Sequence, residues 1–278
     1  MAFCRHLTDG PSLPGGASEM LGAIAGDIIG SVYESRPIKT TDFPLFSQHA
    51  TFTDDTVLTI ATAYAIINGL AYGDAYRMMA RAHPYRGYGG SFDRWFQSDA
   101  APPYHSYGNG SAMRVSPVGW AFDDEETILH EARASAAVTH NHPEGIRGAQ
   151  ATALAVYLAR TGMSSKDGIR RSVQSRFGYD LQRTVDNIRP GYGFKISCQE
   201  TVPEALICFF DAEDYESTVR NAVSLGGDSD TLACIAGSIA EAFYGPLPEP
   251  IRYQVDRRLP EAFREIITVF AERYMLER

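Results

Sequence analysis

Two short acidic clusters, Thr53-Asp54-Asp55-Thr56 and Asp228-Ser229-Asp230-Thr231, lie far apart in the chain, and each runs straight into an apolar, helix-like stretch. Together they offer carboxylates and hydroxyls but no thiolate, a hard-oxygen donor set that suits Mg²⁺ or Mn²⁺ rather than zinc. The same residue types are also the preferred helix N-caps, where a side-chain oxygen accepts a backbone N–H and negative charge meets the positive end of the helix dipole. Taken singly, each cluster reads first as a cap. The apolar residues beyond each cluster tilt the balance: Val57, Leu58, Ile60, Ala61, Ala63 and Ala65 after the first, and Leu232, Ala233, Ile235, Ala236, Ile239 and Ala240 after the second. Helices apolar over most of their circumference are buried. If both are central, their acidic N-termini meet, and the carboxylates repel one another unless cations hold them together.

Three further segments carry chemistry-bearing residues. The run Gly26-Asp27-Ile28-Ile29-Gly30-Ser31-Val32-Tyr33-Glu34 ends an apolar helix in a glycine-containing turn and delivers Glu34 after it. Alone, Glu34 reads as a surface glutamate; beside bound metal it becomes a general base for a water or hydroxyl. Gly108-Asn109-Gly110-Ser111-Ala112-Met113-Arg114 is a glycine-flanked loop running into a helix. Its backbone N–H groups suit a phosphate, although Asn-Gly is foremost a turn signal. In Thr139-His140-Asn141-His142-Pro143 the paired histidines lack a spaced third nitrogen or sulfur ligand, so hydrogen-bonding and capping roles are expected rather than zinc. His140 is suited to hold a substrate hydroxyl or phosphate.

The elements that must position these residues are helical. Apolar periodicity predicts helices over 20–30, 54–68, 74–82, 124–139, 143–160, 165–177, 202–210, 215–224, 230–243 and 260–276, with almost no alternating strand pattern. Loops rich in glycine, proline and aromatic residues fall at 86–90, 102–104, 107–111 and 190–194, where sites are usually built on a rigid scaffold. Glycines inside helical patterns, such as Gly22 and Gly26, point to closely approaching backbones. The 278 residues, 44% hydrophobic and 21% charged, suffice for a full core, and no repeat or linker interrupts them. One all-α, compact, many-helix domain over 20–278 is expected. Residues 1–19, rich in Gly, Pro and Ser, read as a disordered leader or an expression remnant.

A net charge of −9 gives the surface as a whole no reason to bind nucleic acid in bulk. No apolar run reaches the roughly 18 residues of a membrane span. Cys4, Cys198, Cys208 and Cys234 are too sparse for a disulfide framework and fit a reducing, cytoplasmic location.

Taken together, GDIIGSVYE, FTDDTVL, YGNGSAMRV, VTHNHPEGIRGAQA and SLGGDSDTLACIAGSIAEAFYG resemble the ADP-ribosylglycohydrolase family, in the family's order and over nearly the whole chain from Met20. The resemblance implies an all-α fold with a central cleft holding two Mg²⁺ or Mn²⁺ ions. It implies Thr53, Asp54, Asp55, Asp228, Asp230 and Thr231 as ligands, and Glu34 as the catalytic glutamate. Asp55 and Asp228 would assist catalysis by steadying oxocarbenium-like charge. It further implies Gly108, Asn109, Gly110 and Ser111 as the loop for the diphosphate and ribose of ADP-ribose, His140 as a substrate contact, and Tyr107 or Tyr192 as the surface for adenine. The implied reaction is hydrolysis of the C1″ bond between ADP-ribose and an acceptor on an ADP-ribosylated protein, arginine favoured, releasing ADP-ribose. Two alternatives stand beside it: an inactive ADP-ribose-binding protein of the same fold, and a Mg²⁺-dependent nucleotide phosphohydrolase.

Overall fold

The computed structural model describes residues 18–162 and 164–275. Its helices are α1 (Leu21–Glu34), α2 (Asp54–Asn68), α3 (Tyr72–Ala82), α4 (Gly90–Phe96), α5 (Gly110–Met113), α6 (Ser116–Ala121), α7 (Glu125–Ala137), α8 (Pro143–Arg160), α9 (Lys166–Phe177), α10 (Val185–Ile188), α11 (Cys198–Phe210), α12 (Tyr215–Ser224), α13 (Ser229–Tyr244), α14 (Glu249–Asp256) and α15 (Glu261–Tyr274). Among the described residues, extended pairing reduces to one isolated antiparallel bridge, Gly108 with Ser197. No helix there is long and apolar enough to cross a membrane.

The pairing of α1 with α13 organises the rest. Gly22, Gly26 and Gly30 are spaced four apart and so share one face of α1. A Cβ built on Gly26 would stand 2.1 Å from the Ala233 carbonyl oxygen, and one on Gly22 or Gly30 2.4 Å from that of Gly237 or Ser229. No side chain fits there, so the two backbones touch. Each helical glycine costs about 1 kcal/mol relative to alanine, which the close approach offsets. Because 22 faces 237 and 30 faces 229, the helices are antiparallel, and the C-terminal end of α1 meets the N-terminal end of α13. Gly30 therefore does not end α1 in a turn, as its sequence context suggests. The helix continues through it, and Glu34 is its last residue.

Around this pair, α2 and α8 are buried over most of their length, and one contiguous apolar core includes Ile28, Ile60, Leu154, Phe209, Ile235 and Phe263. Helix α2 stops at Gly69, whose φ of 62° supplies the left-handed C-cap. Pro143 opens α8, and the His142 side chain caps it by accepting the Glu144 N–H at 3.1 Å. Helix α11 starts at Cys198, ahead of the predicted 202, and carries Pro203 in its interior. The short helices α4, α5, α6, α10 and α14 are too brief to show a periodic signal.

Residues 1–17 of the expected leader lie outside the described residues. Glu19 packs into the folded unit: it is buried, pairs with Arg252 at 2.7 Å, and donates its backbone N–H to Glu241 at 3.0 Å. Glu241, on α13, also accepts the Gly22 N–H at 2.7 Å. It thus caps α1, whose own N-cap residue Met20 makes no side-chain cap. Burial pushes the Glu241 carboxyl from 4.5 up to about 7, against the backbone N–H groups that favour its charge. The folded state therefore binds a proton that the unfolded state releases earlier, and this contribution to stability is lost as pH rises from 4.5 through about 7. Urea unfolding across that window should show a decline that Glu241→Gln flattens by about 1–3 kcal/mol. An identical slope in the variant would exclude Glu241 as its source.

Candidate active site

The first acidic cluster is held by a residue that sequence reasoning misses. Asp27, fully buried on α1, accepts hydrogen bonds from the Thr53 N–H at 2.9 Å, the Thr53 hydroxyl at 2.8 Å, the Thr56 N–H at 3.0 Å and the Thr56 hydroxyl. It is in effect an N-cap for α2 supplied by α1. Burial nevertheless raises its pKa to about 6, the four donors pulling the other way. The available signal was a lone carboxylate inside the apolar run Ile24–Ile29. The Thr53 hydroxyl has one hydrogen, and Asp27 takes it; the contact to Asp55 is longer, 3.4 Å. Thr53 is thereby left to act as an acceptor toward the cleft.

The second cluster arrives from α13. Thr231 donates its hydroxyl to Asp55 Oδ2 at 3.4 Å, joining the two clusters. Carboxylate oxygens of Glu34, Asp228 and Asp230 lie within 4.8 Å of one another. Lys39 holds the surrounding loops together by donating to the carbonyls of Arg189 at 2.7 Å, Tyr192 at 2.6 Å and Leu225. Gly226, at φ 65°, makes the turn into the second cluster, where a Cβ would come 2.7 Å from the Ile38 carbonyl.

Glu34, Asp54, Asp55, Asp228 and Asp230 line a cleft of about 390 Å³ together with Ser91, Phe92, Tyr104, Ser106, Arg114 and Phe194. Of the residues singled out from sequence, Glu34, Thr53, Asp54, Asp55, Asp228, Asp230, Thr231, Gly108, Asn109, Gly110 and His140 are brought to it. Ser111, Tyr107 and Tyr192 are not among the lining residues. The Ser111 hydroxyl points away, donating to the Gly145 carbonyl at 2.7 Å. Tyr107 is half exposed with its ring 5.4 Å from that of His142. Tyr192 lies behind the second cluster, where its ring would meet a Cβ on Gly227 at 2.8 Å, and its hydroxyl donates to the Glu200 carbonyl at 2.9 Å. The aromatic lining comes instead from Phe92, Tyr104 and Phe194, two of them in loops rich in glycine, proline and aromatic residues. A second, more open groove of about 550 Å³ is lined by Leu129, Arg133, Ile146, Arg147, Arg176 and Phe177 among others. It holds none of the carboxylates above, so its larger volume does not make it the reactive site.

The glycine loop is fixed from two sides. Asn109 donates its backbone N–H to the Ile196 carbonyl at 2.8 Å, and its side-chain amide donates to Asp228 at 2.7 Å and to Thr201 at 3.2 Å. The amide is thus spent on orienting Asp228. A Cβ on Gly110 or Gly108 would stand 3.2 or 3.5 Å from His140 Nε2, so the glycines let the ring lie against the loop.

Asp54, Asp55 and Asp230 are pushed well above the usual carboxylate range, first by burial and then by the neighbouring carboxylates; Asp228 and Glu34 rise for the same leading reason. Asp55 Oδ1 is buried and has no hydrogen-bond partner. A buried orphan oxygen amid mutually repelling carboxylates is costly unless a cation completes it. The donor set is all oxygen, so the residues present fit a hard divalent ion.

The cleft of this all-helical protein joins oxygen donors from two helix N-termini to a glycine loop. Residues 18–278 match the ADP-ribosylglycohydrolase family, and the chain belongs to it. It is 28% identical to ADP-ribosylhydrolase ARH3 of Bos taurus, over 84% of this chain and 86% of that protein. Homo sapiens ADP-ribosylhydrolase ARH3 is likewise 28% identical, over 84% and 86%. ADP-ribosylarginine hydrolase Tri1 of Pseudomonas putida is 26% identical over 50% of this chain and 38% of that protein. Among solved structures, a chain described as "ADP-ribosylglycohydrolase-related protein complex" shares the fold with a TM-score of 0.72 at 24% identity, over 93% of this chain and 97% of that one.

Proposed function

We propose that this protein is a metal-dependent hydrolase that cleaves the C1″ glycosidic bond between ADP-ribose and an acceptor on an ADP-ribosylated protein, arginine favoured, and releases ADP-ribose. The observation that carries this reading is the convergence of Glu34, Asp228 and Asp230 within 4.8 Å, beside the partnerless oxygen of Asp55, in a chain of this family. Thr53, Asp54, Asp55, Asp228, Asp230 and Thr231 would hold two Mg²⁺ or Mn²⁺ ions. When bound, such ions supply Lewis-acid charge that polarises hydroxyls and lowers the pKa of water.

The chain's own groups do the rest. Glu34, at the cleft rim with its pKa raised by partial desolvation and then by Asp228 and Asp27, takes the proton of the attacking water, a task that favours a base with elevated pKa. Asp55 and Asp228 face the positive charge that develops at C1″. The backbone of Gly108–Gly110 and the His140 ring bind the diphosphate, and the exposed Phe194 ring and Tyr104 take over the adenine contact expected of Tyr107 or Tyr192. An acidic cleft wall also suits a cationic guanidinium acceptor. The free, buried thiols of Cys198, Cys208 and Cys234 accord with a cytoplasmic setting.

The test is release of ADP-ribose from arginine-linked and serine-linked ADP-ribosyl peptides with Mg²⁺, with Mn²⁺ and with EDTA. Metal-dependent release from the arginine linkage is expected. AMP as product would instead identify a phosphoanhydride hydrolase, and binding without release an inactive relative. Glu34→Gln should lower turnover about 10²- to 10⁴-fold while ADP-ribose affinity stays within a few-fold. Equal loss of both would remove Glu34 from the chemistry.

A further inference from the structure

Behind the glycine loop, a chain of buried hydrogen bonds ends on His140. Arg114, fully buried just after α5, donates from Nη2 to the Ser135 carbonyl and to Thr139 Oγ1, each at 3.0 Å. Its guanidinium lies 4.3 Å from the Tyr76 ring centroid. Among the described residues it forms no ion pair, and its Nε and Nη1 have no hydrogen-bond partner. Burying a cation without a counter-charge is costly, which singles this arginine out. Thr139, also fully buried, places Oγ1 at 2.7 Å from His140 Nδ1. The opposite ring nitrogen, Nε2, faces Gly108 and Gly110 in the cleft.

We infer that Arg114 and Thr139 are positioning residues that set the tautomer of His140, so that the ring carries its proton on Nε2 and presents an N–H donor over the glycine loop. A guanidinium can only donate. It occupies one lone pair of Thr139 Oγ1 and leaves the threonine's own hydrogen available to Nδ1. The reverse arrangement, with Nδ1–H pointing at Thr139, would aim the positive end of an N–H dipole toward a buried cation. Burial and the Arg114 charge also hold the imidazole neutral, well below its ordinary pKa, and a neutral ring has one N–H to place. With Nδ1 accepting, that N–H is on Nε2. A donor there attracts a diphosphate oxygen, whereas the other tautomer would present a lone pair and repel it. The identity of this ligand rests on the function proposed above; the tautomer does not.

The decisive measurement is a long-range ¹H–¹⁵N correlation spectrum of the full chain labelled at histidine, with His140 assigned by the signals lost in His140→Gln. We expect a protonated Nε2 and an unprotonated, accepting Nδ1. Thr139→Val removes the hydroxyl at nearly constant shape; it should lose this signature and weaken ADP-ribose binding about tenfold, near the value of one hydrogen bond. Thr139→Ser, which keeps the hydroxyl, should restore both. A wild-type ring protonated on Nδ1 overturns the inference, as does Thr139→Val retaining both signature and affinity. If Thr139→Val fails to fold, the wild-type spectrum and the serine variant still decide. If the Nε2 proton is found but the wild type binds no ADP-ribose, the tautomer stands and the functional reading falls.

Discussion

Asp55→Asn is expected to reduce turnover at least about 10³-fold and, in the absence of metal, to make the protein more stable. Several kcal/mol of charge stabilisation depend on the ions this carboxylate would hold, and each 1.36 kcal/mol is tenfold in rate. The stability gain has a separate origin. Asp55 is buried, its Oδ1 has no partner, and Asp27, Asp54 and Asp228 all raise its pKa after burial does. Asparagine keeps the shape and removes one of the mutually repelling charges. Divalent metal should invert the ranking. At a hundredfold excess over its Kd, a ligand adds about 2.7 kcal/mol to the wild type, a Tm rise of roughly 5–10 °C for a domain of this size. The variant should gain little. Thermal melts with and without Mg²⁺ or Mn²⁺, alongside initial rates, separate the two effects. A variant that kept the metal-induced rise and the rate would remove Asp55 from the metal set. Alanine at Asp54, Asp228 or Asp230 should likewise abolish turnover.

Gly26→Ala tests the scaffold. The added methyl would meet the Ala233 carbonyl at 2.1 Å, and because the obstacle is backbone, no rotamer change relieves it. Overpacking of this kind costs about 3 kcal/mol or more, against the roughly 1 kcal/mol that alanine would gain by helix propensity. Gly69→Ala is the control: it has open space around it and pays only for its positive φ, about 1–2 kcal/mol. Chemical denaturation should therefore rank Gly26→Ala as the more damaging. The same change should weaken Mg²⁺ or Mn²⁺ binding, since any separation of α1 from α13 moves Glu34 away from Asp228 and Asp230. Equal costs for the two variants would show that α13 can retreat without strain.

Much of this site can be read from local pattern. Thr53, Asp54, Asp55, Asp228, Asp230 and Thr231 stand out because capping residues and carboxylates ahead of an all-round apolar helix are a local signal, and burial of those helices follows from their composition. Glycines inside helical runs announce a close approach, though not its partner. Gly30 misleads for that reason: the same residue suits a turn or a contact, and only the presence of α13 against it decides. Tyr107 and Tyr192 fall outside the cleft lining, because an aromatic residue in a glycine-rich loop shows that a ring is available but not which way it points.

The residue types and their helical frame were determined by the sequence alone: an all-α chain, two acidic helix N-termini, a glycine loop and a histidine between long helices. Each arises from interactions within a few residues, whose energies are set by neighbours along the chain. The tertiary structure decided everything that depends on contacts between distant segments. Asp27 on α1 caps α2; Asn109 orients Asp228; Arg114 reaches Thr139 and through it His140; Phe194 occupies the cleft wall where Tyr192 does not. These relations depend on how closely and at what angle helices pack, which no periodicity encodes, and here it is the side-chain-free contact of α1 with α13 that brings the two ends of the site together.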